Sequence, residues 1–185
     1  MVQDINFSKK EDSFYFKQVF SKKDISELKN FDGFFIYADE NECRKIVESL
    51  KNSGKKIAIK ARDEVFNRRV LETLNFDYLV SLEINKGKDT LKQRSSGLNH
   101  VVAKIAAKKN IAIVVSSQDL FNFTGKELSV YISKIIQNIK ICRKVDCKIK
   151  IASFSDKKSC SCLGKKKLGV SWGMSSQQTK EVCNF

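Results

Sequence analysis

Residues 99–116 read NHVVAKIAAKKNIAIVVS. Asn99 is a helix-capping residue type, and Leu98, Val102, Ile105 and Ala106 recur at spacings of three and four, which predicts an amphipathic helix over Asn99–Lys109. From Asn110 the period changes. Ile111 to Val115 form an unbroken apolar run that ends at Ser116, the pattern of a strand covered on both faces. A helix feeding directly into such a strand is half of a β-α-β unit, whose strands run parallel.

The same alternation extends in both directions. Strand-like runs occur at Phe31–Ala38, Lys56–Lys60, Phe76–Leu82 and Lys148–Phe154, and helical patterns at Asn41–Lys51, Asp63–Leu74 and Leu128–Lys144. In the longest of these, Leu128, Tyr131, Ile132, Ile135, Ile136, Ile139 and Cys142 share a stripe, with Lys134, Asn138, Arg143 and Lys144 expected away from it. Parallel strands joined by right-handed crossovers leave two architectures, an open doubly wound sheet or a (β/α) barrel. A full eight-fold barrel typically takes about 250 residues, so at 185 residues a barrel must be trimmed. The length suits a single domain over residues 1–185. The polar, basic stretch Ser155–Lys167 is expected to be a loop reaching over one end of it.

The net charge of +14 is unevenly placed. Residues 1–83 carry 15 Lys and Arg against 15 Asp and Glu, whereas residues 84–185 carry 20 against 6. The excess therefore lies in the second half, and a polyanion is the expected partner. Its spread over several elements, instead of one amphipathic helix, favours nucleic acid over a membrane surface. No window has the apolar length of a membrane span, and the charged N-terminal segment does not resemble a secretion signal, so a cytoplasmic location is expected. Six scattered cysteines in a chain of this size are expected to be reduced thiols, and the lone C-x-C of Cys160 and Cys162 is a poor zinc signature, so no metal or other cofactor is called for.

The segment 86–109 concentrates the chemistry. Ser95, Ser96 and Gly97 suit a turn, Asn99 caps the helix behind it, and the free N–H groups of a helix N-terminus accept a phosphate. His100, Lys104 and Lys108 lie four residues apart on one polar stripe, and Arg94 ahead of the turn can make a bidentate phosphate contact. An ordinary solvated helix face would look the same. Further basic groups are Arg68 with Arg69, Arg143 with Lys144 and Lys148, Lys157 with Lys158, and Lys165 to Lys167; Arg69 could instead pair with Glu72. His100 is the only histidine, and Gly-rich phosphate loops, nucleophile elbows and His-Glu metal motifs are absent, which leaves little basis for an enzyme.

Residues 94–120 (RSSGLNHVVAKIAAKKNIAIVVSSQDL) and 168–180 (LGVSWGMSSQQTK) resemble the thirty-kilodalton ribonuclease P protein family, known in archaea as ribonuclease P protein component 3. The resemblance implies a trimmed, TIM-barrel-like domain related to the polymerase and histidinol phosphatase (PHP) type. It implies a noncatalytic subunit that binds the catalytic RNA with a second protein, component 2, and acts on precursor tRNA only indirectly. Carried across position by position, the family's RNA contacts fall on Arg69, Arg94, His100, Lys109 and Lys180, to which the basic stripe adds Lys104 and Lys108, and the loop Lys165 and Lys166. The competing readings are a hydrolase with its own metal site, which one histidine cannot build, and a general RNA-binding or ribosome-associated protein.

Overall fold

The computed structural model describes residues 4–10, 12–25, 30–85, 87–89, 94–156 and 159–185. Seven strands, β1 (Asp4–Asn6), β2 (Ser13–Val19), β3 (Gly33–Ile36), β4 (Lys56–Lys60), β5 (Tyr78–Val80), β6 (Ala112–Ser116) and β7 (Ile149–Ala152), pair in chain order, every neighbouring pair parallel. The first and last strands meet as well. Phe154 N–H donates to the Ile5 carbonyl at 2.8 Å, Phe7 N–H reaches the Ser155 carbonyl at 3.4 Å, and below them Ile151 N–H donates to the Val182 carbonyl at 3.0 Å. The sheet is thus a nearly closed barrel, with the chain's last residues filling the lower part of its seam.

Alternation along each strand sorts side chains into two cores. Ile5, Phe16, Phe35, Ala58, Tyr78, Val80, Ala112, Val114, Ala152 and Phe154 fill the inside of the barrel. Phe34, Ile36, Ile57, Ile59, Leu79, Ile113, Val115, Ile149 and Ile151 point outward beneath the helices. Full burial of such a side chain contributes roughly 1.5–3 kcal/mol. Gly33 makes room for the interior, because a Cβ there would lie 2.5 Å from the Phe16 ring and the Lys56 carbonyl oxygen.

Helices α1 (Glu40–Leu50), α2 (Glu64–Thr73), α3 (His100–Lys108) and α4 (Gly125–Lys144) lie within a few residues of the expected segments. The carboxylates of Asp39 and Asp63 and the amide oxygen of Asn99 accept N–H bonds at the starts of α1, α2 and α3. Two further helices, α5 (Cys162–Ser171) and α6 (Ser176–Glu181), and the first two strands were not anticipated. The expected loop at Ser155–Lys167 is therefore partly helical, with Ser161 as its N-cap. Its sequence CLGKKKLGVS hides the helix because the inward-facing residues include Lys165 and Gly169, so no apolar stripe is visible. The start of α6 did carry a signal, the capping box of Ser175 and Gln178.

Two further expectations are corrected. Lys134 and Asn138 are buried, because α4 lays them over polar partners in place of solvent: Lys134 Nζ donates to the Asn85 carbonyl at 2.6 Å and Asn138 Nδ2 to Glu83 Oε1 at 3.1 Å. The cysteines are not all free thiols, since folding brings Cys162 at the start of α5 against Cys183 near the C-terminus and the two form a disulfide. Among the described residues no helix is long and apolar enough to cross a membrane.

Gly97, just ahead of α3, has φ +73°, and a Cβ there would lie 2.5 Å from the Leu82 carbonyl oxygen. Gly97→Ala is therefore expected to cost about 2 kcal/mol in chemical denaturation, from left-handed strain together with the clash. An unchanged unfolding midpoint would refute the tight turn.

Candidate nucleic-acid interface

The loop leading into α3 is held from α4. Gln137 pairs with the backbone of Arg94 on both sides, its Oε1 accepting Arg94 N–H at 3.1 Å and its Nε2 donating to the Arg94 carbonyl at 2.9 Å. The same amide reaches Ser96 Oγ at 2.9 Å, and Asn138 Nδ2 reaches the Ser96 carbonyl at 3.3 Å. Arg94 itself pairs with Asp89 at 3.0 Å. Asp89 also accepts the Ser95 N–H at 2.8 Å, and this bond, helped by the nearby cations of Arg94 and Lys134, holds its carboxyl below the usual range.

From this loop α3 runs with His100, Lys104 and Lys108 exposed along it. Helix α3 carries no carboxylate, and the only one on α4 is Glu127 in its first turn. Lys140, Arg143 and Lys144 are exposed on the C-terminal half of α4, and Arg143 reaches across to Gln178 and the Gly173 carbonyl beside α6, which carries exposed Lys180. Among the described residues none of Lys104, Lys108, Lys140 and Lys144 makes an ion pair. Lys104, Lys108, Lys140, Arg143, Lys144 and Lys180 are therefore exposed cations carried by α3, α4 and α6.

The expected contact residues divide accordingly. Arg94 in the loop and His100, Lys104 and Lys108 along α3 are all exposed, and Lys180 is exposed on α6. Arg69 is exposed on neighbouring α2 but pairs with Glu40 of α1 at 3.3 Å, while Arg68 takes Glu72 at 2.8 Å. Lys109 has a structural task, donating from Nζ to the Glu72 and Leu74 carbonyls at 2.8 and 3.1 Å where α2 ends. Lys165 is a correction. It is 0% exposed, its ammonium 2.6 Å from Asp4 in the barrel seam, so it offers nothing to a ligand outside; Lys166 beside it is half-buried. Lys157 and Lys158 lie outside the described residues. The contributions of Lys140 and Gln137 went unnoticed, although Lys140 stands four residues from Lys144 and was readable as part of the same helix face.

At the carboxyl ends of the strands, where such barrels keep their reactive groups, a second polar cluster is buried. Lys60 pairs with Asp119 at 3.1 Å, Ser81 donates to the same carboxylate, and Glu83 lies nearby on α4's Asn138. Burial pushes the Glu83 carboxyl up to about 7. Among the described residues no group of three or more His, Cys, Asp or Glu converges as metal ligands would.

Fold and exposed residues together define a TIM-barrel-like α/β protein with a set of lysines on α3 and α4 that are unpaired among the described residues. Curated relatives carry the particular resemblance: the chain is 27% identical over 128 residues to "Ribonuclease P protein component 3" of Methanococcus maripaludis, covering 69% of this chain and 52% of the relative. It is 28% identical over 147 residues to the protein of that name from Methanosarcina mazei, covering 76% and 56%. The chain thus spans about half the length of the curated relatives it matches, and no family model matches it. Among solved structures, a chain of the "cryo-EM structure of archaeal Ribonuclease P with mature tRNA" superposes with a TM-score of 0.74 at 20% identity, covering 97% of this chain and 85% of that one. An amidohydrolase superposes less closely, with a TM-score of 0.58 at 11% identity over 83% of this chain and 41% of its own. The trimmed barrel, one of the two architectures the alternation leaves open and the one the family resemblance implies, is the one observed.

Proposed function

We propose that this chain is a noncatalytic protein subunit of ribonuclease P. It binds the catalytic RNA along the α3, α4 and α6 flank, together with component 2 as protein partner, and supports removal of 5′ leaders from precursor tRNA while the RNA carries the chemistry. Its place of work is the cytoplasm. The observation that carries this reading is the row of exposed cations from Lys104 to Lys144, none of them ion-paired among the described residues, on a barrel similar to one in an archaeal ribonuclease P. Each ammonium that neutralises a phosphate releases counterions, so such a row adds affinity without sequence preference. Arg94, positioned by Gln137, adds a planar guanidinium that can exchange Asp89 for a phosphate.

The decisive experiment adds the chain and component 2 to ribonuclease P RNA and measures the magnesium required for leader cleavage. The requirement should fall. A general RNA-binding protein would leave it unchanged.

Lys104→Ala and Lys108→Ala should each lower the slope of log affinity against log salt by about one, read by RNA titration at several ionic strengths. Slopes equal to that of the unmodified chain would remove the flank from the reading. His100→Ala should weaken assembly and leave the pH profile of cleavage as it was, since the proton transfers belong to the RNA.

A further inference from the structure

Between the first turn of α3 and the C-terminal half of α4 runs an open groove. One wall is Asn99, His100 and Val101; the other is Gln137, Lys140 and Ile141, with Lys144 at its end. The chemistry of these walls is mixed in a particular way. Val101 is 55% exposed, on a helix whose Val102, Ala103 and Ala106 are all in the core, and half-buried Ile141 faces it across the groove. Two ammonium groups stand at the margin, and no carboxylate is among the lining residues.

A cationic face built only for duplex phosphates has no use for an aliphatic floor, because an A-form helix presents phosphates, sugars and shallow groove edges and keeps its base faces stacked. A protein partner would suit the floor but would have to leave Lys140 and Lys144 facing it without acidic neighbours. An unpaired nucleotide satisfies both features, offering a flat apolar base on one side and a phosphate on each end. The imidazole of His100 and the side-chain amides of Asn99 and Gln137 add polar groups at the rim. Both amides already have backbone partners, Val102 N–H for Asn99 and Arg94 for Gln137, so the rim is held in place before any ligand arrives.

We propose that this groove is a subsite for a single unpaired RNA nucleotide, its base laid against Val101 and Ile141 beside the His100 ring and its phosphates on Lys140 and Lys144. The assignment rests on the RNA-binding reading of the flank and narrows it, from any phosphate backbone to a bulged or looped position.

Two RNA hairpins identical except for one single-nucleotide bulge test it, titrated against the full chain at several salt concentrations. The chain should prefer the bulged hairpin by about tenfold, the effect of one stacked base. Val101→Ser should bring the two affinities together while leaving the salt slope unchanged, because no phosphate contact is lost; Val101 is half in solvent already, and an unaltered melting temperature confirms that the core is intact. Lys140→Ala and Lys144→Ala should instead lower the slope on both hairpins. Equal binding of the two hairpins by the unmodified chain, or a preference that survives Val101→Ser, overturns the nucleotide subsite and leaves the RNA-binding reading standing. Absence of binding to either hairpin removes both.

Discussion

Lys165→Ala should lower the unfolding free energy by about 3–5 kcal/mol, the usual result of removing one partner from a buried ion pair. Lys165 is fully buried, and its ammonium meets Asp4 at the start of β1, where the barrel closes. Asp4 also accepts bonds from Ser153 N–H, Ser153 Oγ and Ser159 Oγ at 2.6–2.8 Å, so one carboxylate ties β1 to the end of β7 and to the segment entering α5. Burial by itself raises the Asp4 carboxyl, but the Lys165 ammonium and these hydrogen bonds outweigh it and hold the group below the usual carboxylate range. Burial likewise pulls the Lys165 ammonium down, and Asp4 opposes that. Without the lysine, a nearly buried carboxyl must either stay charged without its counterion or take up a proton, and both cost stability. The double variant Asp4→Asn with Lys165→Met should be milder than either Lys165→Met or Asp4→Asn alone, because no lone charge is left inside. Urea unfolding of the four proteins measures this, and additive losses would show that the two groups are not coupled.

Glu83 should make the fold more stable in mild acid than in mild alkali. Its side chain is 1% exposed, and burial raises the carboxyl from 4.5 to about 7, against weaker opposition from the Asn138 amide. A group that holds its proton more tightly when folded stabilises the native state fully below the unfolded value. That stabilisation is lost as pH rises through the folded value, here between about 4.5 and 7. The shift corresponds to about 3 kcal/mol across that window. Asp4, with its lowered carboxyl, acts in the opposite sense, losing its contribution as pH falls through its folded value. Stability measured by chemical denaturation from pH 5 to 8 should therefore decline, and Glu83→Gln should flatten the decline and stabilise the protein at pH 8. A variant that follows the same curve as the unmodified chain would sink the assignment. The cluster around Glu83 is the costly part of the barrel mouth: its second carboxylate oxygen and the Tyr131 hydroxyl are buried with no hydrogen-bond partner among the described residues.

The site was partly legible in the residues. His100, Lys104 and Lys108 fall on one face because the helix period alone sets their direction, and the charge imbalance between the halves pointed to the same region. Lys109 and Lys165 have the same composition and neighbourhood in sequence as those surface lysines, yet one seals the end of α2 and the other the barrel seam. Nothing local distinguishes them. Their partners, the carbonyls of Glu72 and Leu74 and the carboxylate of Asp4, come from distant elements that only folding brings near. The same holds for Gln137, an unremarkable helix residue until the Arg94 loop lies across it.

What the amino-acid order determined by itself is the succession of parallel strands and helices from Phe31 to Phe154, since hydrophobic periodicity is a local property of the chain. The bias of positive charge toward the second half and the Asn99 cap of α3 are local in the same way. Closure of the barrel was decided by tertiary structure, because β1 is three residues long, pairs along β2, and meets the end of β7 only where the Asp4 carboxylate is held by Ser153 and Lys165. So was the division of the lysines into those that face solvent and those that hold the protein together: an ammonium goes to whichever oxygen the fold brings within reach, and that oxygen is set by packing, not by neighbours in sequence.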